Sequence, residues 1–170
     1  MAEDTHPVES ASPEYQKAEK AALTLVARAE QHTHGLKRKL EKKKFSSDVI
    51  CDVLDSLNGQ NLVNDLRYAK LWLKMKIARG NKGPRMLSLL IKAKGIDSET
   101  VEAALSAVLT PDVETMLLKG CLNKVINDKK DRAKIFNVKN QDDSKSAIRR
   151  FLKSEGFSAD AIERYYDDAK

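Results

Sequence analysis

Glycine and proline are scarce in this 170-residue chain, at seven and four residues. That is too few for the many turns of a β-sandwich or barrel. Cysteine occurs only at Cys51 and Cys121. These two provide no Cys-x-x-Cys pair and no Cys–His spacing of the kind a structural zinc ion requires, and they fit buried thiols in a reducing compartment. No stretch comes near the ~20 consecutive apolar residues of a membrane-spanning helix. Residues 1–13 lack a basic segment followed by an apolar one, so no secretory signal is expected. The motifs GxxxxGK[ST], GxGxxG and GxSxG are missing, so the chain is not expected to hydrolyse ATP itself. The histidines, His6, His32 and His34, have no companions for metal or general-base chemistry and are expected on the surface or in caps. Neither a catalytic residue nor a cofactor is expected.

What the chain does contain is charge and helix formers. Apolar residues make up 41% and charged residues 33%, with a formal net charge of +6. Abundant Ala, Leu, Lys and Glu favour helices. Charge is uneven. The first twenty residues hold five acids against Lys17 and Lys20, a net −3, which leaves +9 on the remaining 150. The Pro- and Ser-containing start, residues 1–13, reads as a mobile acidic tail. The densest basic run, Lys37 to Lys44, has six positive residues and one negative. Further clusters lie at Lys70/Lys74/Lys76/Arg79/Lys82/Arg85, at Lys92/Lys94 and at Lys145/Arg149/Arg150/Lys153. One such run is ordinarily a solvated helix face. Their recurrence points to a surface facing a polyanion or an acidic protein.

A threefold repeat organises these clusters. Three segments match in outline: Leu36 to Ile50, Leu87 to Val101 and Ile148 to Ile162. Successive copies are offset by 51 and 61 residues. Leu36/Leu40, Leu87/Ile91 and Ile148/Leu152 are i, i+4 pairs, one apolar stripe per short helix. Gly95 and Gly156 then end their helices in the left-handed conformation. Ile96 and Phe157 follow and fold back on the finished helix, as Phe45 does in the first copy. Ser46, Asp97 and Ser158 stand at the N-cap of the next helix, with an acid two positions on. The first copy departs from this in one place. Lys44 stands where the others have Gly, which implies either a strained turn or a different one.

A longer helix precedes each hinge. The apolar spacing predicts helices over about 14–30 and 62–79. A third starts at Thr110-Pro111-Asp112 and runs to about Lys129. The polar stretch Asp131 to Asp143, with Ile135-Phe136-Asn137-Val138 inside it, gives no clear pattern. The expected fold is all-α: three tandem three-helix repeats forming an elongated, curved right-handed helical array. Its units are residues 14–58, 59–109 and 110–170. Each unit is too small to bury its apolar faces alone and must stack on its neighbours. A coiled coil is disfavoured by the short, Gly-broken helices.

Few individual residues stand out. Asp65 and Arg67 open the second long helix, where an acid suits the helix dipole and an Arg suits a salt bridge. Tyr68 and Trp72 share a helix face. In a chain with only four Phe, four Tyr and one Trp, they serve core packing or stack on single-stranded bases. Tyr165 and Tyr166 point to different faces, one toward the core. The Gly80 to Gly83 stretch breaks the second long helix. The basic residues are the functional candidates. Lys37, Arg38, Lys42 and Lys43 flank the first stripe. Lys82 and Arg85 open the second short helix, with Lys92 and Lys94 near its end. Arg149, Arg150 and Lys153 lie on the third. Arg67 and Lys74 complete the set. Phosphate contacts by such rows give salt-sensitive binding without sequence preference.

The stretch Asn64-Asp65-Leu66-Arg67-Tyr68-Ala69, with Trp72, Gly83-Pro84-Arg85 and Lys94-Gly95-Ile96, resembles the RecX family of RecA regulators. Ala22, Leu25, Arg28, Leu36, Leu40 and Phe45 extend the likeness to about residues 15–168. Lys44 in place of Gly and Leu89 in place of Glu depart from the family pattern. The resemblance implies a cytoplasmic, monomeric regulator in DNA recombination, repair and the SOS response. Its partners would be the RecA filament and the phosphates of single- and double-stranded DNA, with no membrane. It would bind in the filament's groove and inhibit RecA's recombinase and ATPase activity. Charge alone supports a general basic DNA-binding module equally well, and a helical-repeat scaffold for another acidic partner explains the repeat but leaves Asp65, Arg67 and Tyr68 incidental.

Overall fold

The structure, a computed structural model, describes residues 12–80, 82–127 and 141–167. Residues 1–11 of the expected tail and 131–140 of the polar stretch lie outside them. Among the described residues nine helices and no strand occur. They are α1 (Pro13–Arg28), α2 (Thr33–Glu41), α3 (Ser47–Gly59), α4 (Asp65–Arg79), α5 (Pro84–Lys92), α6 (Ser98–Val108), α7 (Pro111–Asn127), α8 (Gln141–Ser154) and α9 (Ala159–Asp167). None is long and apolar enough to cross a membrane.

Local chemistry sets the helix ends. Ser12 Oγ accepts the Tyr15 N–H at 3.1 Å and Pro13 opens α1. Thr110 Oγ accepts the Val113 N–H at 3.3 Å ahead of Pro111 and α7. Asp97 Oδ1 accepts the Thr100 N–H at 2.8 Å, and that bond holds the Asp97 carboxyl below the ordinary carboxylate range. Ser158 Oγ caps α9 through the Ala161 N–H at 3.1 Å. Ser46 stands at the α3 N-cap without a side-chain bond to the helix. Its own N–H instead donates to Glu14 Oε1 of α1 at 2.7 Å.

The three hinges share one backbone geometry. Lys44, Gly95 and Gly156 have φ of +65°, +89° and +92°. Their N–H groups reach back three residues to Glu41, Lys92 and Lys153, at 2.8, 2.9 and 3.1 Å. The first hinge is thus the same turn as the others, with a side chain where Gly is favoured. Replacing Lys44 by Gly removes a left-handed penalty of roughly 1 kcal/mol, partly offset by glycine's greater freedom in the unfolded chain. Lys44→Gly is therefore expected to raise stability by about 0.5–1 kcal/mol, read as a higher urea midpoint. A lower midpoint contradicts the strain.

The chain forms two compact units, residues 1–68 and 69–170. In the first, α1, α2 and α3 pack on one another. Their core joins Ala18 and Ala22, Leu36 and Leu40, and Ile50, Val53, Leu54 and Leu57, closed by Val63. In the second, α5 packs on α6, and α9 on α7 and α8. Leu73, Leu87, Ile91, Leu117, Leu118, Leu152 and Ile162 are fully buried there. Tyr165 and Tyr166 do not divide between core and surface. Both are half-buried, edge to face with centroids 5.6 Å apart.

Two glycines of the second unit lie backbone to backbone. The Gly83 N–H donates to the Glu155 carbonyl at 2.7 Å, and the Arg85 N–H to the Gly156 carbonyl at 3.1 Å. The start of α5 is thereby fastened to the α8–α9 hinge. Gly80, at φ +61°, ends α4 as its composition suggested. The expectation of two buried thiols needs correction. Cys121 is buried, and burial together with nearby Glu155 pushes its thiol up to about 11. Cys51 is exposed, because the buried face of α3 is fixed by Ile50, Val53, Leu54 and Leu57, and the residue after Ile50 points away from it.

Candidate functional site

Intramolecular bonding sorts the candidate cations. Arg67 is committed to the fold. Its Nε lies 2.7 Å from Glu30 Oε1, and its other nitrogens donate to the Asn61 and Leu62 carbonyls at 3.0 and 3.2 Å. Asp65 beside it accepts the Thr33 N–H at 2.7 Å and the Thr33 hydroxyl at 3.0 Å. Tyr68 rests on His32, ring centroids 4.6 Å apart. His32 in turn caps α2, its Nδ1 accepting the Gly35 N–H at 3.2 Å. The Asp-x-Arg-aromatic motif is therefore a clasp. It ties the first turn of α4 to the α1–α2 junction within the first unit.

Other cations are also engaged. Lys82 Nζ is 2.6 Å from Glu155 Oε2, beside the backbone bonds of the Gly83–Gly156 joint. Lys92 lies 4.0 Å from Glu102. Lys94 and Lys76 sit over the buried Trp72 ring, at 5.8 and 5.2 Å from its centroid. Arg149 pairs with Glu163 at 2.9 Å and stacks on Tyr166 at 4.9 Å. Burial pushes the Tyr166 hydroxyl up, with Arg149 opposing it.

The remaining candidates make no ion pair among the described residues: Lys37, Arg38, Lys42, Lys43, Lys74, Arg85, Arg150 and Lys153. All but half-buried Lys37 are exposed. Two places bring some of them together. In the first unit Arg38, Lys39 and Lys42 line a shallow cavity of about 260 Å³ with Gly35. No carboxylate lines it. Successive positions on one face of α2 produce this grouping, because its other face is held down by Leu36 and Leu40.

In the second unit Arg85 and Lys153 line a cavity of about 420 Å³. Pro84, Glu114, Gly156, Phe157, Ser158 and Ala159 complete its wall. Glu114 is neutralised by Arg164 at 3.1 Å and also accepts the Ser158 hydroxyl at 3.4 Å. The Gly83–Gly156 joint creates this cavity by bringing the start of α5 against the α8–α9 hinge. In the sequence Lys39 stands out only as part of a run, and Glu114 and Gly156 only as helix-end signals. Pairing across some seventy residues leaves no local pattern.

Both places can take an oxyanion by charge and hydrogen bonding. No group of three or more His, Cys, Asp or Glu side chains placed to hold a metal ion occurs among the described residues.

Comparison with known proteins gives a consistent picture. Residues 64–105 match the family model described as RecX, second three-helix domain. The regulatory protein RecX of Finegoldia magna is 31% identical over 126 residues, covering 74% of this chain and 58% of that protein. The regulatory protein RecX of Bacillus subtilis is 29% identical over 154 residues, covering 91% and 55%. The chain thus spans little more than half the length of these curated relatives. Among solved structures, RecX from Lactobacillus salivarius superposes with a TM-score of 0.78 at 23% identity, over 91% of this chain and 96% of that one. That likeness concerns the fold.

Proposed function

The chain belongs to the RecX family of regulatory proteins, and on that premise we propose that it binds the RecA–DNA filament and restrains RecA's recombinase and ATPase activity. It acts without chemistry of its own, in the cytoplasm, as a monomer, in recombination, repair and the SOS response. The units 14–58, 59–109 and 110–170 serve as successive contact modules. The observation that carries this reading is the set of exposed cations without an ion pair on matching short helices. Arg38 stands on α2 and Lys42 at its C-cap, and Arg150 and Lys153 on α8. Arg38 and Arg150 hold the same place relative to their hinges. Cations so placed favour phosphates or carboxylates of a partner over intramolecular pairing.

Titration into RecA's single-stranded-DNA-dependent ATPase tests the proposal. Turnover should fall at protein well below one-to-one with RecA. No effect at micromolar protein in low salt overturns it.

The cation-lined cavity of α2 favours a second reading, a general nucleic-acid-binding module. The discriminator is whether affinity for bare single-stranded DNA matches that for the RecA-coated strand. In either case Arg38→Gln with Lys42→Gln is expected to lower the slope of log affinity against log salt by about two, one per phosphate contact. An unchanged slope removes α2 from the interface.

A further inference from the structure

The three short helices can be compared position by position from their shared hinges. The residue six places before the hinge is Arg38 in the first copy, Leu89 in the second and Arg150 in the third. All three are exposed, Leu89 at 54%. The next residue is Lys39, Leu90 or Phe151, and Leu90 is also exposed. At the first of these places the middle copy therefore has leucine where both outer copies have arginine. A single exposed leucine is ordinary. Here a second helix adds to the exposed apolar surface.

On α4 the residues Leu71, Lys74, Met75, Ala78 and Arg79 are all exposed. Their spacing of three, four, seven and eight places them on one face. The opposite face, Ala69, Trp72, Leu73 and Ile77, is already buried, so packing among the described residues accounts for neither Leu71 nor Met75. Four of the seven large hydrophobic side chains exposed among the described residues fall between 71 and 90. Lys74, Arg79 and Arg85 accompany them, and none makes an ion pair among the described residues.

We propose that the outer faces of α4 and α5 are the chain's protein-contacting surface, taking an acidic protein surface that carries apolar side chains of its own. This deepens the filament-binding reading and rests on it. Apolar side chains with a charged margin are the usual make-up of a protein interface. The three cations require acids opposite them. A phosphate backbone satisfies the cations but gives the leucines and methionine no apolar counterpart. A second copy joined face to face would set these cations against each other.

The test uses Leu71→Gln, Met75→Gln and Leu89→Gln combined in the full chain. Glutamine keeps helix propensity and the positions are exposed, so circular dichroism and Trp72 fluorescence should match wild type. Affinity is measured for RecA filaments on single-stranded DNA and for the bare strand. The expected result is a loss of tenfold or more on filaments and less than twofold on bare DNA. Leu89→Arg, which restores the residue of the outer copies, is expected to weaken filament binding while strengthening bare-strand binding. Unchanged filament binding by the triple variant overturns the proposal, and so does an equal loss on both ligands. Concentration-dependent association of the wild type that the triple variant abolishes also overturns it, since the face then belongs to a second copy. A wild type that does not bind filaments at all removes the functional reading first and this proposal with it. That failure is seen in the unmutated chain and so is distinguishable.

Discussion

Leu87→Asp is expected to unfold the second compact unit. Leu87 is 1% exposed, and with Ile91 at 0% it forms the apolar stripe that seats α5. Truncating a buried leucine costs about 3–5 kcal/mol through lost transfer energy and the cavity left behind. The carboxylate adds the desolvation of a charge with no partner in the stripe. A combined loss of about 5 kcal/mol or more is comparable to the whole stability of a small domain. Trp72, the only tryptophan, is 8% exposed in the same unit and reports its folding directly. Its emission should shift to the red, with loss of helical ellipticity, in the absence of denaturant. Leu89→Asp, two residues away on the exposed face, should move the urea midpoint by less than about 1 kcal/mol equivalent. Native Trp72 emission in Leu87→Asp contradicts the assigned packing.

Leu87 was legible because the features that place it are local. A 3.6-residue period and a hinge glycine are both written within one helix and its turn, and the threefold copy supplied each signal three times. Even the anomalous Lys44 keeps the turn, because the helices on either side leave the backbone no other route at a penalty of roughly 1 kcal/mol. Elements that depend on distant partners were not legible. Asp65 reads as a dipole-favoured acid, yet its carboxylate serves Thr33, 32 residues earlier. Lys82 reads as a surface cation, yet Glu155 holds it from 73 residues away. Composition supplies the number of cations and says nothing of which ones the fold consumes. This is why Arg67, Lys82, Lys92 and Arg149 looked equivalent to Arg38 and Arg150. Cys51 failed for a related reason. Residue type alone suggested burial, while helix phase turns the side chain outward.

Gly83→Ala tests the least legible contact of all. A Cβ built on Gly83 would stand 2.5 Å from the Gly156 carbonyl carbon, 2.6 Å from the Phe157 nitrogen and 2.7 Å from the Gly156 oxygen. All three are backbone atoms, so no side-chain rotation relieves the clash. The start of α5 must move off the α8–α9 hinge. That movement breaks the bonds from the Gly83 and Arg85 N–H groups, each contributing about 1 kcal/mol. It also opens the Lys82–Glu155 pair beside Cys121, where separation leaves a half-buried carboxylate to be resolvated. Gly156 cannot compensate. Its own backbone is packed as closely from the other side, where a Cβ would stand 2.6 Å from the Met86 nitrogen, so it too is held in place. Gly83→Ala is therefore expected to lower the stability of the second unit by about 3 kcal/mol, read from urea unfolding followed by Trp72. Gly59→Ala is the control for the substitution itself; it lies in the first unit, so its unfolding is followed by helical ellipticity and not by Trp72. A Cβ there meets nothing within 4 Å, and alanine's helix preference should make that change neutral or stabilising by up to about 1 kcal/mol. Equal effects from the two substitutions would mean that the glycine pair does not join α5 to the hinge. The cavity lined by Arg85 and Lys153 would then lose the contact that builds it.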